Sequence, residues 1–570
     1  MNRAERRRLQ RLQEKHGGTS SPPHVRSWLE EGIRLHRAGR LTQAEALYQR
    51  VLEVMPAHPE ALHLLGVAAY QQGRADQARM LIARAIHSNP RQAVYHFNHG
   101  LACQQLKDLE AAAASYDTAI KLNPAYVEAL TNRGNLYREQ GQLSQAVDMY
   151  RRAVHLKPDY AEGYNNLGVA FKEQRQFTDA VEAYRQALAL NPHNAQTHCN
   201  LGMVYMEQDR INDAIRAFEQ ATRLDPRYAK AYHNLGLAFI AKSQWPEALT
   251  ALRQSAELTH NHGRPVTLKW VFPSRIKHDA EQLDYLAERG ILDPMWHPYQ
   301  EALQVLRRRC EREAPRSNHP IALTEEEARS IAPSFNRIVY LKECPIVPAG
   351  AINPCLDVED IQRRYYERHP EILWVDDLLT SEALQALRQF CLESTIWKRD
   401  YPNGYVGAFL GDGFACPLLL QIAEELRTRF PKIFRHHRLL QAWAFKQDST
   451  LLPLNIHADA AAVNVNFWIT DNQANLDPTS GGLIVWDKEA PQEWDFRVYN
   501  DTKFKPQIME FLRTAGAQAV TVPYRENRAL FFNSDLFHAS DRCQFKDEYT
   551  GRRINVTLLY GHRFDKVQVN

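Results

Sequence analysis

Two histidines and an aspartate in the last quarter of the chain have residue types and a spacing that suit metal chemistry. His457 and Asp459 are two residues apart in a short apolar stretch, and His538 follows a second such stretch. If the first stretch is extended, the side chains of His457 and Asp459 point the same way, with Cα atoms about 6–7 Å apart. Two imidazoles and one carboxylate are the ligand set with which proteins hold Fe(II) and leave coordination positions open. The sequence therefore predicts a metal site at these three residues.

An arginine lies fifteen residues after His538, at the start of another apolar run. Arg553, Asn555 and Thr557 alternate with apolar residues, so they are expected to share one face of a strand, with Arg552 on the other. A planar guanidinium grips a carboxylate through two parallel hydrogen bonds. Arg553 is therefore the expected partner of a second carboxylate near the metal.

Short apolar runs of strand length surround these residues. They are 372–375, 440–446, 463–470, 482–486, 517–522, 529–532 and 554–560. Helical spacing occurs only before most of them, in a helix capped by Thr380 or Ser381 and in another at 418–430. Strands separated by turns, with the helices in front, predict an α+β domain built on a jelly roll, the antiparallel double-stranded β-helix. A segment at 487–516 is expected to interrupt this barrel, and the glycine-rich stretch 403–413 is expected to be a mobile loop or a plain turn.

The whole arrangement resembles the Fe(II)/2-oxoglutarate-dependent oxygenases, most nearly their prolyl-hydroxylase-like and phytanoyl-like branches. The resemblance covers about 370–565 and includes the Gly481-Gly482 turn and the Phe-Phe-Asn approach to the second histidine. It implies that the two histidines and the aspartate bind Fe(II) and that the arginine pairs with the distal carboxylate of 2-oxoglutarate. It also suggests polar residues that could bond the cosubstrate, namely Asn464, Asn466 and Thr557. Trp443 and Phe445 stand where a tyrosine is usual, and the lysine common after the second histidine is missing.

A second pattern fills the first half of the chain, where glycine recurs every 34 residues. The seven glycines are Gly32, Gly66, Gly100, Gly134, Gly168, Gly202 and Gly236. An alanine follows each by twelve residues, and a proline closes six of the units. Small residues let two amphipathic helices approach closely, and proline stops the second helix. The pattern resembles the tetratricopeptide repeat and implies an α-solenoid of seven units.

Five successive units carry an asparagine two residues before the glycine. They are Asn98, Asn132, Asn166, Asn200 and Asn234. An amide has both a donor and an acceptor, so a row of amides can hold a peptide by its backbone. The row resembles the asparagine ladder of O-GlcNAc transferases, which implies a polypeptide partner. The alternative is that these amides bond only between neighbouring helices.

Length and composition limit the other possibilities. A chain of 570 residues exceeds a single core, and a net charge of +3 does not favour nucleic acid. No apolar run approaches the roughly 18 residues that span a bilayer, and the basic start lacks the apolar segment of a secretory signal. Eight scattered cysteines without a C-x-x-C pair indicate reduced thiols and a cytoplasmic location.

These features predict four segments and one main function. The segments are a basic N-terminal segment at 1–24, the repeats at 25–258, a helical linker at 259–345 and the oxygenase-like domain at 346–570. The expected function is a dioxygenase that uses Fe(II) and 2-oxoglutarate to hydroxylate a protein or peptide captured by the repeats. Two alternatives stay open: a non-catalytic repeat scaffold with a degenerate barrel, and a small-molecule oxygenase.

Overall fold

The structure is a computed structural model that describes most of the chain. The described residues are 22–262, 267–314, 317–367, 369–434, 436–448, 456–494 and 496–562. Most of the predicted basic segment at 1–24 lies outside them. The chain divides into two compact units, Met1–Val204 and Tyr205–Asn570.

The first unit is helical, as the repeat pattern predicts. Its helices are α1 (Pro23–Arg37), α2 (Leu41–Val54), α3 (Pro59–Gln71), α4 (Ala75–Ser88), α5 (Ala93–Gln105), α6 (Leu109–Leu122), α7 (Val127–Glu139), α8 (Leu143–Leu156), α9 (Ala161–Glu173), α10 (Phe177–Leu190) and the start of α11 (Ala195–Glu207). Each repeat contributes two helices joined by a short turn.

The repeated glycines lie where the two helices of a unit touch. A Cβ added to Gly100 would be 2.5 Å from the ring of Tyr116, and one added to Gly134 would be 2.7 Å from the ring of Tyr150. Both tyrosines are fully buried. The alanines twelve residues after the glycines are also fully buried: Ala44, Ala78, Ala112, Ala146, Ala180, Ala214 and Ala248. The 34-residue period therefore reflects close helix contact, and the predicted helical solenoid is confirmed.

The second unit begins inside the repeats. Its helices are α12 (Ile211–Leu224), α13 (Ala229–Ala241), α14 (Trp245–Ala256), α15 (Pro273–Glu288), α16 (His297–Glu313), α17 (Glu325–Ile331), α18 (Val358–Glu367), α19 (Ser381–Glu393), α20 (Pro417–Arg429), α21 (Pro431–Phe434), α22 (Phe496–Asn500) and α23 (Lys505–Thr514). Ile240 and Leu252 share an apolar core with Phe467 of the β-rich region. His260, which replaces the closing proline of the last repeat, places Nε2 3.0 Å from Oδ1 of Asp412. The compact unit therefore extends across the predicted boundary at 258.

The C-terminal region is rich in β-structure. Its strands are β1 (Trp270–Val271), β2 (Ile321–Ala322), β3 (Ile372–Val375), β4 (Arg399–Asp400), β5 (Tyr405–Phe409), β6 (Leu439–Gln447), β7 (Val463–Trp468), β8 (Leu483–Glu489), β9 (Ala519–Val522), β10 (Ala529–Asn533), β11 (Leu536–Ser540) and β12 (Ile554–Tyr560). A seven-stranded sheet has the order β3-β10-β7-β12-β6-β5-β4, and a three-stranded sheet has the order β11-β8-β9. All of these pairs are antiparallel.

The seven-stranded sheet has two different faces. Val465 and Phe467 of β7 pack with the helices in the main apolar core. Trp468 lies on the opposite face, in a second cluster with Val485 and Val522 of the smaller sheet. The face that carries Trp468 is called the inner face. Alternation along each strand therefore decides which residues can meet the second sheet.

One expectation needs correction. The glycine-rich stretch 403–413 is not a mobile loop, because most of it forms β5 and the 3₁₀ turn Leu410–Asp412. Its glycines let strands approach: a Cβ on Gly407 would be 3.0 Å from the ring of Phe445. The linker at 259–345 contains α15 to α17 and has a small core of its own. In the described parts of the chain, no helix has the length and apolar character to cross a membrane.

Candidate metal centre

His457 and His538 face each other across an isolated backbone bridge. The N–H of His538 is 2.8 Å from the carbonyl of His457, and the reverse bond is 3.0 Å. Asp459 donates its N–H to the carbonyl of Ser534 at 3.0 Å. The turn expected before His538 consists of Ser534 and Asp535, and His538 lies beyond it, in the unpredicted strand β11. Backbone hydrogen bonds therefore hold the segment of His457 and Asp459 against the segment of His538.

The three side chains converge on one point. Nε2 of His457 is 4.0 Å from Oδ1 of Asp459, and Nε2 of His538 is 3.5 Å from Oδ2. Among the described residues, this is the one group of three or more His, Cys, Asp or Glu side chains whose ligand atoms could hold an ion, all within 4.8 Å of one another. Metal–ligand distances of about 2.0–2.2 Å allow such separations after small side-chain shifts. The donor set fits Fe(II), which these three residues would hold.

Protonation states suit a cation. Nδ1 of His538 is 3.1 Å from the carbonyl of Leu536, so this nitrogen carries the proton and Nε2 is left as a ligand atom. Burial of Asp459 favours the neutral carboxyl, but the hydrogen bond with His538 and the electrostatic influence of the two neighbouring histidines lower the pKa of Asp459. A bound cation would favour the same ionised carboxylate.

The predicted cosubstrate residues lie directly behind Asp459. Nδ2 of Asn464 donates to Oδ2 of Asp459 at 2.7 Å. Asn466 donates to the carbonyl oxygen of Asn464, and Thr557 donates to that of Asn466 at 2.8 Å. Asn555 also donates to Asn466, at 2.8 Å. Both polar groups of Asn464 are thus used within the protein.

Arg553 lies on the inner face beside the strand of His538. It is 2% exposed. Its guanidinium is held by Oγ of Ser540 at 3.0 Å, the carbonyl of Gly482 at 3.1 Å and Oε1 of Gln447 at 3.3 Å. Its Nε has no hydrogen-bond partner among the described residues, and no carboxylate of theirs forms an ion pair with it. A buried guanidinium with a free N–H fits an incoming carboxylate.

Two residues that position Arg553, Ser540 and Gln447, were not predicted from the sequence. Ser540 is two residues after His538 on β11, so both side chains point to the same side, about 6–7 Å apart at Cα. This two-residue spacing could have identified Ser540 if β11 had been predicted as a strand. Gln447 comes from the end of β6, 106 residues away, and no local pattern marks it. Arg552 faces away and pairs with Glu281.

Aromatic rings extend the inner face away from the metal ligands. Trp443 lies opposite Thr557, and Phe445 lies opposite Asn555. Together with rings from β5 and the turn before it they form the aromatic wall, defined as Tyr401, Tyr405, Phe409, Trp443 and Phe445. All five rings are half-buried. The wall offers flat apolar surface next to the polar residues of β12.

The insertion at 487–516 supports the metal ligands. The carbonyl of Tyr499 accepts the N–H of Ala458 at 3.2 Å, and Nδ2 of Asn500 donates to the carbonyl of Ala458 at 3.1 Å. Ile508 and Leu512 are buried in one cluster with Ala458 and Phe537. The residues that flank the ligands are therefore fixed from this side.

The asparagine row has mixed surroundings. Nδ2 of Asn98 is 2.7 Å from Nε2 of His63, in the preceding repeat. Asn200 is 9% exposed and donates to Oδ1 of Asn165 at 3.2 Å. The other members, Asn132, Asn166 and Asn234, are half-buried. Two of the amides thus make bonds between repeats, as the alternative interpretation requires.

Comparisons with known proteins identify the repeats. Residues 35–96 match a family model described as tetratricopeptide repeat. Four further stretches match a second TPR repeat model: 100–137, 134–175, 170–209 and 202–242. These stretches are tetratricopeptide repeats, a scaffold that presents extended binding surfaces. No curated protein matches this sequence.

Several solved structures share the helical repeat. MamA is 28% identical over 29% of this chain and 95% of its own, with a TM-score of 0.28. YrrB, described as a TPR protein with an unusual peptide-binding site, is 24% identical over 32% of this chain and 93% of its own, with a TM-score of 0.28. PilF of Pseudomonas aeruginosa is 18% identical over 36% and 95%, with a TM-score of 0.34.

Proposed function

We propose that this protein is an Fe(II)- and 2-oxoglutarate-dependent dioxygenase that hydroxylates a protein or peptide held by its repeats. One observation carries the proposal: ligand atoms of His457, Asp459 and His538 lie within 4.8 Å of one another, and Ser540, two residues after His538, accepts a hydrogen bond from the buried Arg553, whose Nε has no partner among the described residues. The three-residue cluster or the buried arginine could each occur in a protein for structural reasons alone. Their combination matches a cation and a dicarboxylate that bind side by side.

We further propose that the two sheets of the C-terminal region form a double-stranded β-helix. The inner faces of the seven-stranded and three-stranded sheets share a core around Trp468 and Val485, which supports this topology. The ligands would then lie at one open end of the barrel. This end would be closed on one side by the segment at 487–516.

Under this proposal, the residues of the site have separate roles. The two imidazoles and Asp459 hold the iron, and Arg553 orients the far end of 2-oxoglutarate. Iron and 2-oxoglutarate supply the oxidising chemistry when bound. The aromatic wall excludes water and borders the space where a substrate side chain would enter. The side chain of His457 is 26% exposed, so this side of the site is open to solvent.

The repeats would supply the polypeptide. Asn132 and Asn166 are half-buried, so their amides can meet a peptide backbone. Asn98, Asn200 and Asn234 would extend the same row, with Asn98 and Asn200 exchanging their present partners. Seven of the eight cysteines are buried, which supports a reducing, cytoplasmic setting.

Turnover of 2-oxoglutarate tests this proposal. Succinate formed from 2-oxoglutarate with Fe(II) and air is measured by NMR for the wild type and for His457→Ala, Asp459→Ala and His538→Ala. The wild type should form succinate, and the three variants should not. His369→Ala is a matched control, because His369 and Glu371 repeat the spacing of the ligands on the surface. Its rate should equal that of the wild type.

A non-catalytic scaffold is the second candidate. The tetratricopeptide repeats and the bonds between repeats at Asn98 and Asn200 favour a binding role that needs no chemistry. If the wild type forms no succinate under any of these conditions, the scaffold is the better description. Succinate formation that survives all three substitutions would also reject the assigned ligands.

A further inference from the structure

Four buried polar side chains behind Asp459 form a hydrogen-bonded chain with one direction. Asn555 and Thr557 both donate to Oδ1 of Asn466, at 2.8 Å each. Asn466 donates to Oδ1 of Asn464, and Asn464 donates to Oδ2 of Asp459 at 2.7 Å. Every donor points toward the carboxylate. This set of four residues is called the amide relay.

The direction of the relay follows from its end. An ionised carboxylate can only accept hydrogen bonds. Asn464 must therefore turn its NH₂ toward Asp459, which leaves its carbonyl for Asn466 and orients that amide in turn. Hydrogen bonds aligned in one direction strengthen one another in a low-dielectric interior. Asp459 thus determines the orientation of side chains two strands away.

The relay needs the register of two strands. Asn464 and Asn466 are two residues apart on β7, so their side chains point to the same face of the sheet. Asn555 and Thr557 are likewise two residues apart on β12, and Thr557 lies directly opposite Asn466. Asn464 is completely buried and Asn466 is 3% exposed. A buried amide lowers the stability of the fold unless it makes hydrogen bonds. Apolar residues would serve the packing of the barrel, so these four polar residues point to a task beyond folding.

We infer that Asn464 is a positioning residue for the metal centre, and that the relay holds the Asp459 carboxylate in the orientation for binding a cation. The inference rests on the proposed function and assigns Asn464 and Asn466 to the metal rather than to the cosubstrate. Oδ2 is anchored by Asn464, and Oδ1 is directed toward His457, 4.0 Å from its Nε2. A carboxylate held in this way needs little rearrangement when the ion arrives.

The test is a titration of the full-length protein with Co(II), followed by its d–d absorption. Asn464→Leu keeps the approximate shape of the side chain and removes the donor. Loss of an outer hydrogen-bond partner of a ligand weakens metal binding about 10- to 100-fold, so a fall of this size is expected, with a shifted Co(II) spectrum. Asn318→Leu removes another buried amide, one that accepts from the N–H of Ser274 and donates to the carbonyl of Tyr401. This control should bind Co(II) like the wild type.

A second pair of variants distinguishes an effect on the metal centre from a general loss of folding. Thr557→Val removes one of the two donors to Asn466, whereas Thr470→Val removes a buried hydroxyl that bonds the carbonyl of Arg552 at 2.8 Å. Thr557→Val should weaken Co(II) binding a few-fold and Thr470→Val should not. If the wild type binds Co(II) and both Asn464→Leu and Thr557→Val bind it equally well, the inference is wrong while the metal site stands. If the wild type does not bind Co(II), the proposed function and the inference fall together.

Discussion

At the scale of single residues, the site depends on charges that are buried before any ligand arrives. Arg553 is held by neutral groups, and its Nε has no partner among the described residues. Placing an unpaired cation in a low-dielectric interior is costly. Under the proposed function, a carboxylate of 2-oxoglutarate would offset that cost.

Replacing Arg553 should separate cosubstrate binding from metal binding. Arg553→Ala and Arg553→Lys are both expected to raise the KM for 2-oxoglutarate, because lysine keeps the charge but lacks the planar fork. Removing one partner of a buried charge pair costs about 2–5 kcal/mol. Succinate assays give the KM, and Co(II) titration should stay close to the wild type. An unchanged KM in both variants would show that another group binds the carboxylate.

At the scale of elements, polar contacts as well as close packing join the repeat helices. His63 on α3 is 8% exposed, stacks on Tyr95 of α5 at 4.5 Å between ring centroids, and accepts from Asn98. Burial, and to a lesser degree the charge of His36, lowers the pKa of His63 to about 4. The native imidazole is therefore neutral, while the unfolded one titrates near its ordinary pKa.

This shift predicts acid sensitivity of the repeats. Between pH 6.5 and 4 the unfolded chain binds a proton at His63 that the native chain does not, so stability falls as pH falls. The loss amounts to at most about 3 kcal/mol. Urea unfolding followed by circular dichroism at several pH values should show a shallower pH dependence for His63→Gln than for the wild type. Equal slopes for His63→Gln and the wild type would contradict the assignment.

At the scale of the whole molecule, the repeats and the β-rich region have separate tasks under the proposed function. The repeats would choose the polypeptide, and the metal centre would oxidise it. The two activities can then be lost independently. Substitutions on the asparagine row should affect only the reaction that needs a protein substrate.

The double variant Asn132→Ala/Asn166→Ala tests this separation. Each lost hydrogen bond to a peptide costs about 0.5–1.5 kcal/mol, so two amides together should clearly reduce hydroxylation of captured proteins. The measurement is mass spectrometry of co-purifying proteins, which scores the gain of one oxygen atom. Uncoupled succinate formation should persist, since the metal centre is untouched. Full protein hydroxylation in the double variant would mean that the row is structural.

The sequence by itself determined the periodic and local features. The helix contacts behind the 34-residue period lie within one unit, as Gly134 with Tyr150 shows, so the repeat could be predicted without any distant contact. Strand spans were also close to those observed, for example Ile554–Tyr560. The spacing of His457 and Asp459 identified a candidate site for the same reason, because neighbouring ligands are set by local geometry.

Only the tertiary structure decided how distant segments meet. Three contacts depend on how distant strands pair: the bridge between His457 and His538, the hydrogen bond that Arg553 donates to Gln447, and the one that Asn464 donates to Asp459. Register is a property of two segments together, and a shift of one residue would turn every inner side chain outward. No pattern within either segment specifies that pairing. The sequence thus indicates which residues could bind a metal. The fold decides which oxygen of Asp459 accepts a hydrogen bond from Asn464 and which residues accept from Arg553.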